Sequence, residues 1–379
     1  LAQRGFIVSA ELSRLLTKYG TELKRHPSTA KIFFHPDGTA YQAGERLIQQ
    51  DLANSLLKIA SEGPQTFYRG PLAKLISDHI LSQGGLITPS DLRNYQTVIR
   101  KPVRGTYRGF DVYSMPPPSS GGVHLIQMLN MLEPYSLSRM IPNSVDWIHL
   151  VVGVMQRAYA DRSVHLGDPS FVQNPVTGLT SKGYARKQMR NFDIDHALSS
   201  QQIKPGIPLQ AHEGDQTTHF SVIDKDGNAV SNTYTLNTNF GMKAVVPGTG
   251  ILLNNEMDDF TTKEGAQNVY GLVQGAKNRI EPGKRMLSSM TPTIILKDKK
   301  PFLITGTPGG SRIITTVLNI ILNVIDSKQS IVTATKAPRF HHQWLPDEIV
   351  VEPGFAPQTR TKLKTKGHHL KPSPPYCCA

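Results

Sequence analysis

Thr217 stands in Gln216-Thr217-Thr218-His219-Phe220-Ser221, just ahead of a segment patterned as a β-hairpin. A second hydroxyl, Thr235, lies on the return strand in Thr233-Tyr234-Thr235-Leu236-Asn237. A threonine hydroxyl is a weak nucleophile at its ordinary pKa, and an adjacent amine is one way to activate it. If the chain were cut between Gln216 and Thr217, the new α-amino group would have a reference pKa of about 7.7–8.0. An appreciable fraction would be neutral near pH 7, so Thr217 could use its own amine as base and would need no His or Asp. A plain surface hairpin rich in threonine has the same local pattern, and this segment alone leaves both readings open.

The elements that must position Thr217 are legible around it. His219–Lys225 and Ala229–Leu236 are rich in β-branched and aromatic residues with partial alternation, and Asp226-Gly227-Asn228 between them signals a tight turn. Pairing the two strands brings the neighbourhood of Thr217 back towards Thr235 and Asn237. Upstream, apolar residues at helical spacing predict helices over 51–60 and 71–80, the second with Pro71 at a first helical position. Further helices are expected over 121–132, starting at a glycine pair, over 143–162, and over 313–325 as a buried helix. The polar stretch 170–215, with Pro205 and Pro208, reads as a linker leading to Thr217, and 217–260 and 287–305 read as strand-rich. No internal repeat is evident.

Composition bounds the function. The 379 residues are 38% hydrophobic and 19% charged, which suits a soluble globular protein of one or two domains. No run of about 18 apolar residues suggests a membrane span, and no basic-then-apolar start suggests a signal peptide. The formal charge of +13 comes without a run of five Lys or Arg and without a nucleic-acid motif, so a basic solvated surface is expected rather than a nucleic-acid partner. The two cysteines, Cys377 and Cys378, are adjacent and cannot build a disulfide framework. His341-His342 and His368-His369 lack zinc-ligand spacing, so no metal site is expected.

Seven ordered segments carry a resemblance. They are residues 217–241, Met115-Pro-Pro-Pro-Ser-Ser-Gly-Gly122, Tyr159-Ala-Asp-Arg-Ser163, Gly250-Ile-Leu-Leu-Asn-Asn-Glu-Met-Asp-Asp-Phe260, Leu287-Ser-Ser-Met-Thr-Pro-Thr293, Gly306-Thr-Pro-Gly-Gly-Ser-Arg312 and Ala337-Pro-Arg-Phe-His-His-Gln343. In order and spacing they resemble the γ-glutamyltransferases, or γ-glutamyl transpeptidases, of the N-terminal nucleophile hydrolases. The resemblance implies an α+β fold, a four-layer αββα sandwich. It implies autocatalytic cleavage at Gln216–Thr217 of one precursor into a large-subunit-like part, 1–216, and a small-subunit-like part, 217–379.

The resemblance also assigns roles. Thr217 is the processing residue and the nucleophile, and Thr235 supports its amine and hydroxyl. Asn237, Glu256 and Asp259 hold the amino acid head of the substrate; an α-ammonium needs such acceptors, although two acids three apart are commonly a solvated face. Ser288 and Ser289 hydrogen-bond the substrate α-carboxylate. Gly309 and Gly310 form the oxyanion hole, where a backbone without Cβ can approach a ligand and present N–H groups. The same glycines could suggest a phosphate loop, but the Lys-Ser/Thr ending of a P-loop is missing. Tyr270 falls in Glu264–Lys277, which resembles the family's lid. His219 is expected to be a structural histidine, not the base.

The implied substrate is glutathione or another γ-glutamyl compound, the acceptor is water, an amino acid or a peptide, and no cofactor is required. The family is usually periplasmic, secreted or on the outer cell surface, and the resemblance implies such a location. A relative acting on another acyl group, such as a cephalosporin acylase, and a catalytically incomplete fragment are the alternative readings. The ending Lys371–Ala379 does not resemble a domain terminus, and a shifted reading frame or early stop is expected there. The start resembles the interior of the family's large subunit, without the opening segment that carries an arginine for the α-carboxylate.

Overall fold

The computed structural model describes residues 1–207, 218–263 and 265–375, and Gln216, Thr217, Glu264, Cys377 and Cys378 lie outside the described residues. The chain packs as two units: residues 1–99 with 236–255, and residues 100–235 with 256–379.

The first unit holds α1 (Ala10–Lys18), α2 (Gln50–Glu62) and α3 (Pro71–Ser82). Ser9 caps α1 by accepting from Leu12 N–H at 3.1 Å, an N-cap bond of ordinary kind. Leu16, Leu23, Phe33, Leu47 and Val245 close a small core. Residues 236–255 are held in this unit by side-chain hydroxyls. Ser28 Oγ donates to the Val245 carbonyl at 2.5 Å, Val245 N–H donates to Thr29 Oγ1 at 2.8 Å, and Ser55 Oγ donates to the Thr249 carbonyl at 2.8 Å. Gly250 has φ +67, and a Cβ there would lie 2.4 Å from the Leu52 nitrogen, so only glycine fits against α2.

The second unit is built on a four-stranded antiparallel sheet. Its strands are β1 (Val103–Tyr107), β2 (Phe110–Ser114), β5 (Thr293–Lys297) and β6 (Lys300–Thr305), in the order β6-β5-β2-β1. Both of its hairpins turn through two residues of positive φ, Arg108-Gly109 and Asp298-Lys299, whose backbone matches the twist of the flanking strands. One face carries α4 (Gly121–Leu132), flanked by α5 (Val145–His165) and α7 (Arg312–Ile325). Every residue of α4 is buried and α5 is buried along nearly its whole length, as expected of helices surrounded by packing partners. Against the sheet packs a hairpin of β3 (Thr218–Ile223) and β4 (Ala229–Tyr234), in register from Thr218↔Tyr234 to Ile223↔Ala229. Ser231 fixes it there: its Oγ donates to the Thr305 carbonyl at 3.0 Å and accepts from Thr293 N–H at 3.1 Å. A smaller sheet, β7 (Phe340–His341), β8 (Ile349–Val351) and β9 (Leu370–Pro372), completes the unit.

The stretch 170–215 is not a plain linker over its described part. It contains Val176–Leu179 and α6 (Lys182–Gln188), because Leu179 and Ala185 are apolar enough to bury against the main core. Asp161 on α5 then gathers this stretch. Its carboxylate accepts from Gln127 Nε2 at 2.5 Å, Tyr184 Oη at 2.9 Å, Gln188 Nε2 at 3.0 Å and the Gly206 N–H at 2.6 Å. Burial pushes its pKa up, while these donors oppose the shift. Asp161→Ala is expected to leave four donors, that of the buried Gln127 among them, without this acceptor and to cost about 3–5 kcal/mol. Urea unfolding followed by circular dichroism checks this; a loss below about 1 kcal/mol would show the hub to be dispensable.

Candidate active site

The loop bearing Ser288 and Ser289 is clamped to the start of α4. Ser288 N–H donates to the Pro118 carbonyl at 2.8 Å, and its own carbonyl accepts from Ser120 N–H at 2.9 Å and Ser119 Oγ at 2.9 Å. The contact is close because of the glycine pair. A Cβ on Gly121 would fall 2.3 Å from Thr291 Oγ1, and one on Gly122 would fall 2.4 Å from the Met115 carbonyl. This explains why Met115–Gly122 and Leu287–Thr293 both carry distinctive sequence: they are two sides of one joint. Ser288 Oγ accepts from Met290 N–H at 3.0 Å. Ser289 is fully buried, and its Oγ accepts from Arg162 Nη2 at 3.2 Å.

Gly309 and Gly310 have φ +135 and +67 and lie just ahead of α7, separated from it by its N-cap residue Ser311. Their carbonyls accept the first helical N–H groups, from Arg312 at 3.2 Å and Ile313 at 3.0 Å. The loop is tethered one residue later. Tyr159 Oη donates to the Ser311 carbonyl, and Ser311 Oγ donates to Gln343 Oε1 at 2.7 Å. Gln343 also reaches the segment around Tyr270, whose carbonyl accepts from Gln343 Nε2 at 3.0 Å. The oxyanion-loop candidate and the lid candidate thus share one side chain.

Glu256 and Asp259 lie in a short 3-10 turn, Glu256–Asp259, and both are buried, so they are not a solvated face. Asn278 locks the turn, its Nδ2 donating to the Asp259 carbonyl at 2.5 Å and to Gln274 Oε1 at 2.6 Å. Thr235, half-buried, follows β4 directly. Asn237 belongs to the first unit; it is buried at φ +72, a left-handed conformation that asparagine tolerates, and its Nδ2 donates to the Asn255 carbonyl at 3.0 Å. Gln216 and Thr217 are outside the described residues, so the expected cleavage point has no geometry here.

His219 hydrogen-bonds Thr233 Oγ1 and Ser221 Oγ, each at 2.9 Å, and lies so close to Gly306 that a Cβ there would fall 2.2 Å from its ring. It wedges the hairpin against the foot of the glycine loop, a packing role. The motif Tyr159–Ser163 was legible as a segment, but its connections were not. Its signal was the i, i+3 spacing of Tyr159 and Arg162 on one helix face.

Three other histidines of the second unit, His165, His341 and His368, are buried. Burial drives His341 and His368 down to about 3 and His165 down to about 4. His341 spans Thr315 Oγ1 and Gln343 Oε1, and His368 pairs with His149 Nδ1 at 2.8 Å. Their folded pKa values lie below the unfolded value of about 6.5, so the unfolded chain takes up protons first. Their stabilising contribution is complete above pH 6.5 and is lost as pH falls towards 4, by up to about 1.4 kcal/mol per pH unit for each histidine. The urea midpoint is expected to be flat from pH 7 to 8 and to fall steeply between about pH 6 and 4.5. A midpoint unchanged down to pH 4.5 would contradict these assignments.

Helices on a sheet, a hairpin packed on that sheet, and a glycine-paired loop ahead of a buried helix define an α+β fold of the N-terminal nucleophile hydrolase type. A family model described as Gamma-glutamyltranspeptidase matches residues 1–377, and the chain belongs to that family. It is 51% identical over 370 residues to a glutathione hydrolase proenzyme of Escherichia coli K12, covering 98% of this chain and 64% of the relative. It is 38% identical over 375 residues to the Acylase ACY 1 proenzyme of Pseudomonas sp. strain SE83, covering 99% of this chain and 64% of the relative. A cephalosporin acylase structure from Bacillus halodurans superposes with a TM-score of 0.86 at 27% identity, covering 98% of this chain and 66% of that one. The chain therefore spans slightly under two thirds of the length of these relatives. Among the described residues, no helix is long and apolar enough to cross a membrane.

Proposed function

We propose that this protein transfers γ-glutamyl groups from glutathione or related γ-glutamyl compounds to water or to amino acids and peptides. In this reading the chain first cleaves itself at Gln216–Thr217 into parts 1–216 and 217–379. Thr217 is the covalent neighbour of Thr218, which pairs with Tyr234, the neighbour of Thr235. Thr217 Oγ then attacks the γ-carbonyl while the Thr217 amine takes the hydroxyl proton. The Gly309 and Gly310 N–H groups stabilise the oxyanion, and the amine returns the proton to the leaving nitrogen. Water or an amine acceptor releases the acyl group by the reverse sequence.

The observation that carries this reading is the burial of Glu256 and Asp259 in the same packed unit as the clamped Ser288–Ser289 loop. Two buried acids suit an ammonium, and two hydroxyls suit a carboxylate, which together describe an amino acid head. Asn237 is assigned to the same head, Thr235 to the support of Thr217, and Tyr270 to the lid. The acylase relatives favour a second reading, a different acyl group on the same nucleophile. The buried acids speak against it. The location expected with the first reading is periplasmic or extracellular, which cell fractionation tests.

Asp259→Ala is the variant that discriminates. Removing a charged hydrogen bond to the substrate ammonium, worth about 1.5–3 kcal/mol, should lower kcat/KM on a γ-glutamyl anilide roughly ten- to hundred-fold. Self-cleavage should proceed normally, because the acid serves the substrate. Unchanged glutamate release, or wild-type protein that hydrolyses a cephalosporin side chain in preference to the anilide, would favour the acylase reading.

A further inference from the structure

Two loops of the proposed site are held by one face of one helix. On α5, Tyr159 and Arg162 are three residues apart, and both are buried, at 2% exposure each. Tyr159 Oη donates to the carbonyl of Ser311, the residue after Gly309-Gly310. Arg162 Nη2 donates to Ser289 Oγ, and its guanidinium sits over the Tyr159 ring, 5.7 Å from the centroid. The ring is buttressed on another edge by His341, 5.7 Å away and nearly perpendicular.

From this juxtaposition we propose that Tyr159 and Arg162 form a strut that sets oxyanion stabilisation at one end and recognition of the substrate α-carboxylate at the other. The inference rests on the γ-glutamyl reading and adds two positioning residues to it. The physical reason differs at each end. Gly309 and Gly310 carry no Cβ and have wide backbone freedom, so donors on such a loop are preorganised only if the loop is tied down. Tyr159 supplies that tie from a rigid, buried helix. At the other end, Ser289 Oγ accepts from Arg162, which directs the serine's own proton elsewhere and sets a fixed positive charge behind it. A carboxylate on the far side of Ser289 would meet an oriented donor and a favourable potential, and a neutral amide would gain neither to the same degree.

The two ends therefore predict different kinetic signatures. The probes are a γ-glutamyl anilide with a free α-carboxylate and the same compound with an α-carboxamide. For Arg162→Gln, kcat/KM on the acid is expected to fall roughly ten- to hundred-fold, mainly through KM, as for loss of a charge-assisted contact, with little change on the amide. Arg162→Lys should recover part of the preference for the acid because the charge is kept. For Tyr159→Phe, kcat should fall about ten-fold on both substrates with KM nearly constant, the mark of an interaction made in the transition state. Each variant is compared well below its melting temperature, and Arg162→Lys stands in if the glutamine variant does not fold.

Equal losses on acid and amide for both Arg162 variants would show a merely structural arginine and overturn the strut. So would a Tyr159→Phe protein whose KM moves as far as its kcat. Wild-type protein that turns over neither anilide would overturn the γ-glutamyl reading itself, and the strut with it. That failure is distinguished by being visible before any variant is made.

Discussion

Thr217→Ala is expected to leave the chain in one piece and to lower γ-glutamyl hydrolysis by at least about 10⁴-fold, the scale of losing a covalent nucleophile. The two effects have one cause, because the same hydroxyl would open the Gln216–Thr217 bond and later carry the acyl group. Thr217→Ser keeps a hydroxyl and an amine at the new terminus, so it should still be cleaved and should keep measurable turnover. Denaturing gels and glutamate release read both results. Cleavage of the alanine variant into two fragments would assign processing to another residue, and retained turnover would assign catalysis elsewhere.

The second large effect is expected at the glycine pair. Gly309 has φ +135, a conformation closed to residues with a Cβ, and it lies two residues before the carbonyl held by Tyr159. Gly309→Ala must move the loop or accept strain of about 1–3 kcal/mol. Either outcome displaces a proposed oxyanion donor, and loss of one such donor costs about 10²–10³ in kcat. The melting temperature should drop only modestly, since the loop contributes little to the core. A variant with kcat within about three-fold of wild type would mean that the oxyanion is stabilised by other groups.

What the sequence made legible was local. The β3–β4 hairpin followed from alternating β-branched residues around Asp226-Gly227-Asn228, and the structure ends its strands within about two residues of that expectation. Helices α4 and α7 followed from sustained apolar runs, α4 with its start at the glycine pair. Non-local features were not legible. No periodicity in residues 236–255 says that they pack with residues 1–99, because Ser28, Thr29 and Ser55 make that contact from far along the chain. The helices within 176–188 were hidden by polar composition, since only Leu179 and Ala185 bury and the rest is drawn in by Asp161. For the candidate site, motif resemblance marked Ser288, Ser289, Gly309 and Gly310, but the Ser119–Ser288 joint and the Tyr159–Arg162 face join residues far apart in sequence and show only in the folded chain. Glu256 and Asp259 are the instructive case: by spacing alone they suit a wet surface, and burial removes that reading.

The central claim is that Thr217 becomes the N-terminus of the catalytic fragment. N-terminal sequencing of the active protein, with the same sample assayed for glutamate release from a γ-glutamyl anilide, tests it most directly. The expected result is a smaller fragment beginning Thr-Thr-His-Phe, whose amount rises in step with activity during maturation. Full activity in an uncut chain, or a fragment that begins at any residue other than Thr217, would contradict it.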